Sequence, residues 1–172
     1  MRYTGALLTL ALGAFAMGAQ AQAPSDPQIV GIVVAANQID INAGKLALEK
    51  THNPQVKQFA QQMVDDHTAV NKSVAQLGAK LHVTPADSPT EDALKKAAAA
   101  SQAHLKTLSG AEFDRAYIDH EVAYHKQVID AVKTTLIPNA QNAELKSALE
   151  GAAPMFQGHL EHAEHMQSTV GN

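Results

Sequence analysis

Residues 53–80 read NPQVKQFAQQMVDDHTAVNKSVAQLGAK, a pattern that predicts one long helix. Asn53-Pro54 is a typical helix start, because a capping side chain is followed by proline at the first helical position. Apolar residues then recur in steps of three, four and seven, which places them on one face of the helix. They are Val56, Ala60, Met63, Val70, Val74 and Leu77. His67 interrupts this face, and because such a face packs into a core we expect its imidazole to be buried.

The segments on either side of residues 53–80 carry the same helical period. The predicted helices run from Pro27 to about His52, Pro54 to about Lys80, Pro89 to about Leu108, Ser109 to about Leu136, and about Ala140 to Met166. Ser109 with Glu112 forms a capping-box pattern at the fourth start, and Pro154 predicts a kink or a break in the last helix. Since no segment alternates as a strand does, we predict an all-α up-and-down bundle of four long helices plus one short helix.

The first 21 residues have the pattern of an export signal. Arg2 precedes an apolar run from Ala6 to Met17, and Ala19-Gln20-Ala21 is a suitable cleavage site. A cut after Ala23 would leave Pro24 at the new N-terminus, which signal peptidase handles poorly, so we place the cut after Ala21. We therefore expect residues 22–172 to form a single exported domain in the periplasm, with outer-membrane association left open.

The composition excludes several classes of function. The chain has no cysteine, so disulfides, thiolate metal sites, thiol catalysis and a lipidated N-terminus are ruled out. It has 13 basic and 17 acidic residues, and loss of Arg2 with the signal changes the formal charge from −4 to −5. This net negative charge lacks the basic patch typical of nucleic-acid-binding proteins. The predicted mature chain also has no segment suited to transmembrane insertion. The sequence leaves the oligomeric state open.

Ionisable residues interrupt the apolar pattern of four different helices. They are Asp40, His67, His125 and His159. An ionisable side chain in a core is costly unless it is paired or bound to a metal, so these interruptions predict one shared buried site. The first helix is apolar nearly all round, which leaves the orientation of Asp40 open. Glu121 lies one turn before His125 and can share a ligand with it.

Further residues are weaker candidates for the same site. Asp66 lies on the flank of the second helix, and Asp114 lies on the stripe of Glu121 and His125. On the last helix, an arc of about 60° contains Met155, His159, His162 and Met166. Histidine with methionine suits copper. The alternative is that the methionines fill the core and the final histidines lie at an exposed helix end.

A zinc-protease motif is only superficially present at residues 120–125, HEVAYH. That motif needs two histidines four residues apart on one helix face. His120 and His125 are five residues apart and diverge by about 140°. The segment therefore does not predict a protease.

Several blocks of the sequence resemble one known family. These blocks are Gly44-x-Leu46-Ala47, Val56-Lys57-x-Phe59-Ala60-x-x-Met63-Val64-x-Asp66-His67, Phe113-Asp114-x-x-Tyr117, His125, and His159-Leu160. The chain resembles the bacterial domain-of-unknown-function 4142 family, exported proteins often labelled outer membrane proteins. The resemblance implies a ferritin-like helical bundle and no assigned activity. Where the family usually has glutamate in the first helix, this sequence has Asp40, one methylene shorter.

The resemblance does not extend to the ligand pattern of ferritin-like di-iron proteins. Those proteins use Glu-x-x-His on two helices, and neither His67 nor His159 has glutamate three residues before it. We expect a buried site of Asp40, His67, Glu121, His125 and His159 that binds zinc, iron or copper without turnover. One alternative is a non-enzymatic envelope or stress protein in which these residues only fix helix packing. A metal-dependent oxidoreductase is a third hypothesis.

Overall fold

The computed structural model describes residues 23–170, and these residues form helices and connecting turns without a β-strand. The elements are α1 Asp26–Lys50, α2 Pro54–Leu81, α3 Pro89–Thr107, α4 Gly110–Ala131, a π-helical segment Val132–Leu136, a single turn α5 Ile137–Asn139, and α6 Ala143–Val170. The all-α prediction is confirmed. The predicted signal peptide, residues 1–21, lies outside the described residues. None of the described helices is both long and apolar enough to cross a membrane.

The bundle consists of two helix pairs. α1 packs extensively against α2, and α4 packs extensively against α6. The two pairs contact each other much less, through α1 with α4 and α2 with α6, and α3 packs mainly against α1. The long connection from α2 to α4 that contains α3 thus adds a fifth helix to a four-helix bundle.

The start of α1 is tied to the start of α6. Ser25, not the predicted Asp26, is the N-cap of α1, and Gln28 completes its capping box. The Asp26 carboxylate instead accepts hydrogen bonds from the backbone N–H groups of Gln141 at 2.8 Å and Asn142 at 2.9 Å. This contact ties the N-terminal end of α1 to the segment that leads into α6.

The structure corrects three details of the predicted helices. Ser109 precedes α4 but makes no side-chain capping hydrogen bond, and α4 begins at Gly110 with φ of 57°. The predicted fourth helix changes to π-helical geometry at Val132–Leu136 before it ends. α6 begins at Ala143 and continues through Pro154, so there is no break at the proline.

Two apolar clusters form the core. The first cluster is centred on Phe59, Met63, Phe113 and Tyr117, and the second on Ile29, Val132, Leu136 and Leu145. The close approach of α1 and α2 depends on Gly44, where an added Cβ would lie 2.9 Å from the Ala60 carbonyl oxygen and 2.9 Å from Val64 Cγ2. This approach brings the middle of α1 against the middle of α2, where Asp40 and His67 face each other.

Candidate metal centre

Five buried ionisable residues from four helices converge inside the bundle, and we call them the polar layer. They are Asp40 from α1, His67 from α2, Glu121 and His125 from α4, and His159 from α6. Each is at most 3% exposed. Within the described residues, the ligand atoms of His67, His125 and His159 lie within 4.8 Å of one another, and so do those of Asp40, Glu121 and His125. The structure therefore brings together all five residues that the sequence analysis favoured.

The contacts within the polar layer centre on Asp40. Its Oδ2 lies 3.0 Å from His67 Nε2 and 3.5 Å from His125 Nε2. His125 Nδ1 lies 3.5 Å from Glu121 Oε2. The three imidazole rings also lie close together, with centroids 5.2 to 5.8 Å apart. One Asp40 oxygen thus faces ring nitrogens from two other helices.

A chain of hydrogen bonds fixes the orientation of His67. The Val34 carbonyl can only accept, so the Asn71 side chain points its Nδ2 toward it, at 3.5 Å. Asn71 Oδ1 then accepts from Asn37 Nδ2 at 3.0 Å, which turns Asn37 Oδ1 toward His67 Nδ1 at 2.8 Å. Because that oxygen is an acceptor, Nδ1 of His67 carries a proton, and Nε2 is the nitrogen that faces Asp40.

His125 and His159 follow the same rule. Nδ1 of His125 donates to the Glu121 backbone carbonyl at 3.0 Å, which leaves Nε2 as the acceptor nitrogen of the neutral ring. Nε2 of His159 donates to Asp66 Oδ2 at 2.9 Å, which leaves Nδ1 as the acceptor nitrogen of the neutral ring. His125 Nε2 and His159 Nδ1 are thus buried without a hydrogen-bond partner, whereas His67 Nε2 faces Asp40 Oδ2 at 3.0 Å.

The protonation of the polar layer follows from burial and from the mutual charges. Burial by itself raises the pKa of Asp40, but the hydrogen bond and charge of His67, with the charge of His125, outweigh it, so the pKa lies below its usual range. Burial and the neighbouring Asp40 charge raise the pKa of Glu121 well above its usual range. Asp40 is therefore the ionised carboxylate of the pair, and Glu121 is the protonated one.

Burial keeps two of the histidines neutral. It lowers the pKa of His125, against the opposing charge of Asp40. It also lowers the pKa of His159, against the hydrogen bond to Asp66. Neutral imidazole is the form that binds a metal ion.

The polar layer fits a transition-metal ion in the chemistry of its donors. Metal-bound histidines characteristically donate their second ring N–H to a carboxylate or a backbone carbonyl, which orients the ring and raises its basicity. His125 donates to the Glu121 backbone carbonyl and His159 to the Asp66 carboxylate, while His67 donates to the Asn37 amide oxygen. An unpaired imidazole lone pair 3.0 Å from an ionised carboxylate is repulsive unless a proton or a cation lies between them.

The weaker candidates occupy different surroundings. Asp66 is half-buried and accepts a hydrogen bond from His159 Nε2, the ring nitrogen on the side away from the polar layer. It therefore orients His159 rather than joining the converging ligand atoms. Asp114 is buried, but it belongs to neither group of converging ligand atoms. The His162 ring packs edge-on against Phe59, with centroids 5.1 Å apart. Met166 is part of the first apolar cluster and Met155 packs against it.

The sequence pattern did not predict Asn37, Asn71 or Tyr117 as parts of the site. Asn37 lies three residues before Asp40, and Asn71 lies four residues after His67, so helical spacing places each on the same face as a candidate ligand. Tyr117 lies one turn before Glu121, and its buried hydroxyl has no hydrogen-bond partner within the described chain. Burial, the largest cause, together with the charge of Asp40 raises its pKa well above the usual range, so it remains a phenol.

No curated protein matches the sequence significantly. The structure is similar to the solved structure of CopM in the Cu(II)-bound form, with a TM-score of 0.64 that covers 84% of this chain and 98% of CopM. Sequence identity is 15%, so this similarity concerns the fold alone.

The family comparison covers most of the sequence. The family described as a domain of unknown function, DUF4142, matches residues 13–166. This range contains every residue of the polar layer and agrees with the resemblance seen in the sequence blocks. The chain therefore belongs to the DUF4142 family.

Proposed function

We propose that the protein binds one transition-metal ion in the polar layer. The nitrogen ligands are His67 Nε2, His125 Nε2 and His159 Nδ1, and Asp40 supplies a carboxylate oxygen. One observation carries the proposal: each of the three rings gives one N–H to an oxygen acceptor and turns its other nitrogen into the polar layer. There His125 Nε2 and His159 Nδ1 are buried without a hydrogen-bond partner, and His67 Nε2 faces the Asp40 carboxylate at 3.0 Å. A network that served only to fix helix packing would be expected to give His125 Nε2 and His159 Nδ1 hydrogen-bond partners as well.

The ligand set suits several ions. Imidazole and carboxylate donors fit zinc, iron and copper, and the chain has no thiolate to favour a softer ion. CopM, which shares the fold, was solved in a Cu(II)-bound form, and this makes Cu(II) the first ion to test. The proposed activity is binding, and the proposed compartment is the periplasm, as the signal-peptide pattern of residues 1–21 predicts.

Metal titration tests the proposal directly. We expect purified metal-free protein to bind one equivalent of Cu²⁺, Zn²⁺ or Fe²⁺ by calorimetry, and to retain the ion through gel filtration and elemental analysis. The variant His67→Ala/His125→Ala/His159→Ala should lose this binding while circular dichroism still shows a helical fold. A matched control, His52→Ala/His104→Ala/His165→Ala, removes three exposed histidines and should bind as wild type does.

Two results would overturn the proposal. Equal metal retention by the wild type and the polar-layer variant would place the ion elsewhere. A folded wild-type protein that binds none of the three ions would leave the polar layer as a hydrogen-bonded packing element of a non-enzymatic envelope protein. Subcellular fractionation tests the compartment separately, because cytoplasmic retention of the native chain would contradict export.

A further inference from the structure

A large cavity extends from the polar layer into the space between the two helix pairs, and α3 also lines it through Pro89, Ala93, Leu94 and Ala97. Its volume is about 1020 Å³, at the upper end of the range of roughly 300 to 1,000 Å³ that is typical of ligand pockets. Asp40, His67 and His125 line one part of it. The rest is lined mostly by aliphatic side chains, including Val30, Val74, Leu77, Leu136 and Leu145.

The arrangement of the helices accounts for this space. Contacts within α1/α2 and within α4/α6 are extensive, whereas the pairs touch each other little. The first apolar cluster fills one side of the polar layer with aromatic rings. The second cluster, on the other side, consists of shorter aliphatic residues and alanine, against which half-buried Val74 and Leu77 pack.

Water is a poor occupant for the aliphatic part of the cavity. A buried water needs two to four polar partners. The polar lining consists of the groups around Asp40, His67 and His125, together with Ser73, Thr90 and Gln127, which lie exposed where the cavity meets solvent. An unfilled apolar cavity loses packing energy in proportion to its volume. A hydrocarbon chain would recover that energy by burying its own surface against the same aliphatic side chains.

We infer that the cavity binds a single-chain amphiphile, a fatty acid, with its hydrocarbon chain between the helix pairs and its carboxylate against the ion held by the polar layer. This inference rests on the proposed metal site for the position of the head group. Neutral imidazoles leave much of the charge of a divalent ion uncompensated, so an anionic oxygen binds there more strongly than a neutral hydroxyl. The aliphatic lining, which is independent of the metal, selects the chain.

Binding of saturated fatty acids to the metal-loaded full mature protein tests the inference. We expect affinity, measured by calorimetry below the micelle concentration, to rise about four-fold for each added methylene from octanoate to dodecanoate. Dodecanol should bind more weakly than dodecanoate when metal is present. Val74→Trp, which fills the aliphatic part of the cavity, should weaken dodecanoate binding at least ten-fold and leave metal binding unchanged.

A neighbouring substitution provides the matched control. Ala75 is exposed on the same helix, so Ala75→Trp should bind dodecanoate as wild type does. Metal-loaded protein that binds no dodecanoate, or that binds it without regard to chain length or to Val74→Trp, would overturn the inference and leave the metal site intact. Failure of the metal site shows differently, as the absence of bound ion in the metal titration itself. A self-associating wild type whose cavity excludes dodecanoate would assign the aliphatic surface to a second copy of the chain and so overturn the inference.

Discussion

A buried histidine offers a lone pair in a fixed direction only when its other nitrogen is held as an N–H donor. In this protein the ring N–H of each histidine donates to a specific acceptor: the Asn37 side-chain oxygen for His67, the Glu121 backbone carbonyl for His125, and the Asp66 carboxylate for His159. These three partners determine which nitrogen faces the polar layer. They therefore form part of the proposed site, although they do not bind the ion themselves.

Replacing Asn37 tests this positioning role. Asn37→Ala removes the acceptor of the His67 Nδ1 proton, so the ring can turn or change tautomer, and we expect metal affinity to fall by about 10- to 100-fold. Gln38→Ala, at the adjacent exposed position, should leave affinity unchanged. The measurement is the dissociation constant from a competition titration against a chelator. Wild-type affinity in Asn37→Ala would show that His67 needs no such partner.

Proton competition should begin at a lower pH than in an exposed histidine site. Burial lowers the pKa of His125 and of His159, so both rings stay neutral at the pH where an ordinary histidine, with a pKa of about 6.5, becomes half protonated. Falling pH adds protons to the ligand nitrogens and weakens binding only once those lowered pKa values are approached. We expect a constant dissociation constant from about pH 8 down to about 6.5 and a rise below that value. A rise that starts above neutral pH would contradict this.

At the residue scale, the sequence was sufficient to predict where His67, His125 and His159 would lie. Each interrupts an apolar helical face, and an interrupted face still packs inward. Asp40 could not be oriented in the same way, because α1 is apolar nearly all round and gives no polar face as a reference. The partners Asn37 and Asn71 are uncharged, so they do not stand out until the histidines they orient are placed.

Helix pairing depends on a small residue in α1. Gly44→Ala would place a Cβ 2.9 Å from the Ala60 carbonyl oxygen, and backbone cannot move aside as a flexible side chain can. We expect a loss of about 1–2 kcal/mol in the free energy of unfolding, since overpacking outweighs the better helix propensity of alanine. Urea denaturation followed by circular dichroism measures the change.

The control for this substitution lies in α6. A Cβ at Gly158 would meet no atom within 4 Å, so Gly158→Ala should increase stability by about 0.5–1 kcal/mol through helix propensity alone. If both alanine variants gain stability equally, close approach at Gly44 is not what spaces α1 and α2.

Helix starts and ends were predicted within a few residues because caps and prolines mark them locally. The π-helical segment at Val132–Leu136 was not predicted, since its side chains keep an apolar pattern that also suits an α-helix. The cavity has no sequence signature either. It depends on the distance between the two helix pairs, which is set by packing between residues far apart in the chain.

At the scale of the whole molecule, a bound ion would connect α1, α2, α4 and α6 through one ligand from each. The chain has no disulfide to do so. An ion that binds only the folded state stabilises it by mass action. At a free metal concentration about 100 times Kd, we expect the free energy of unfolding to increase by about 2.7 kcal/mol. This corresponds to a rise of roughly 5–10 °C in Tm for a domain of this size.

Thermal denaturation with and without a chelator measures this effect. The polar-layer variant His67→Ala/His125→Ala/His159→Ala should give the same Tm under both conditions, whereas the wild type should not. A wild-type Tm that does not depend on metal would mean that the ion binds the unfolded chain equally well or does not bind.

The two-pair construction of the bundle also bears on how fast an ion could leave. A ligand set contributed by four helices releases its ion only when the pairs separate or when the ion passes along the cavity that Asp40, His67 and His125 line. Residence time would then be set by breathing of the bundle rather than by ligand exchange in open water. A bound ion would then stay in the protein through brief falls in free metal, and a hydrocarbon chain bound in the cavity would lengthen its residence time.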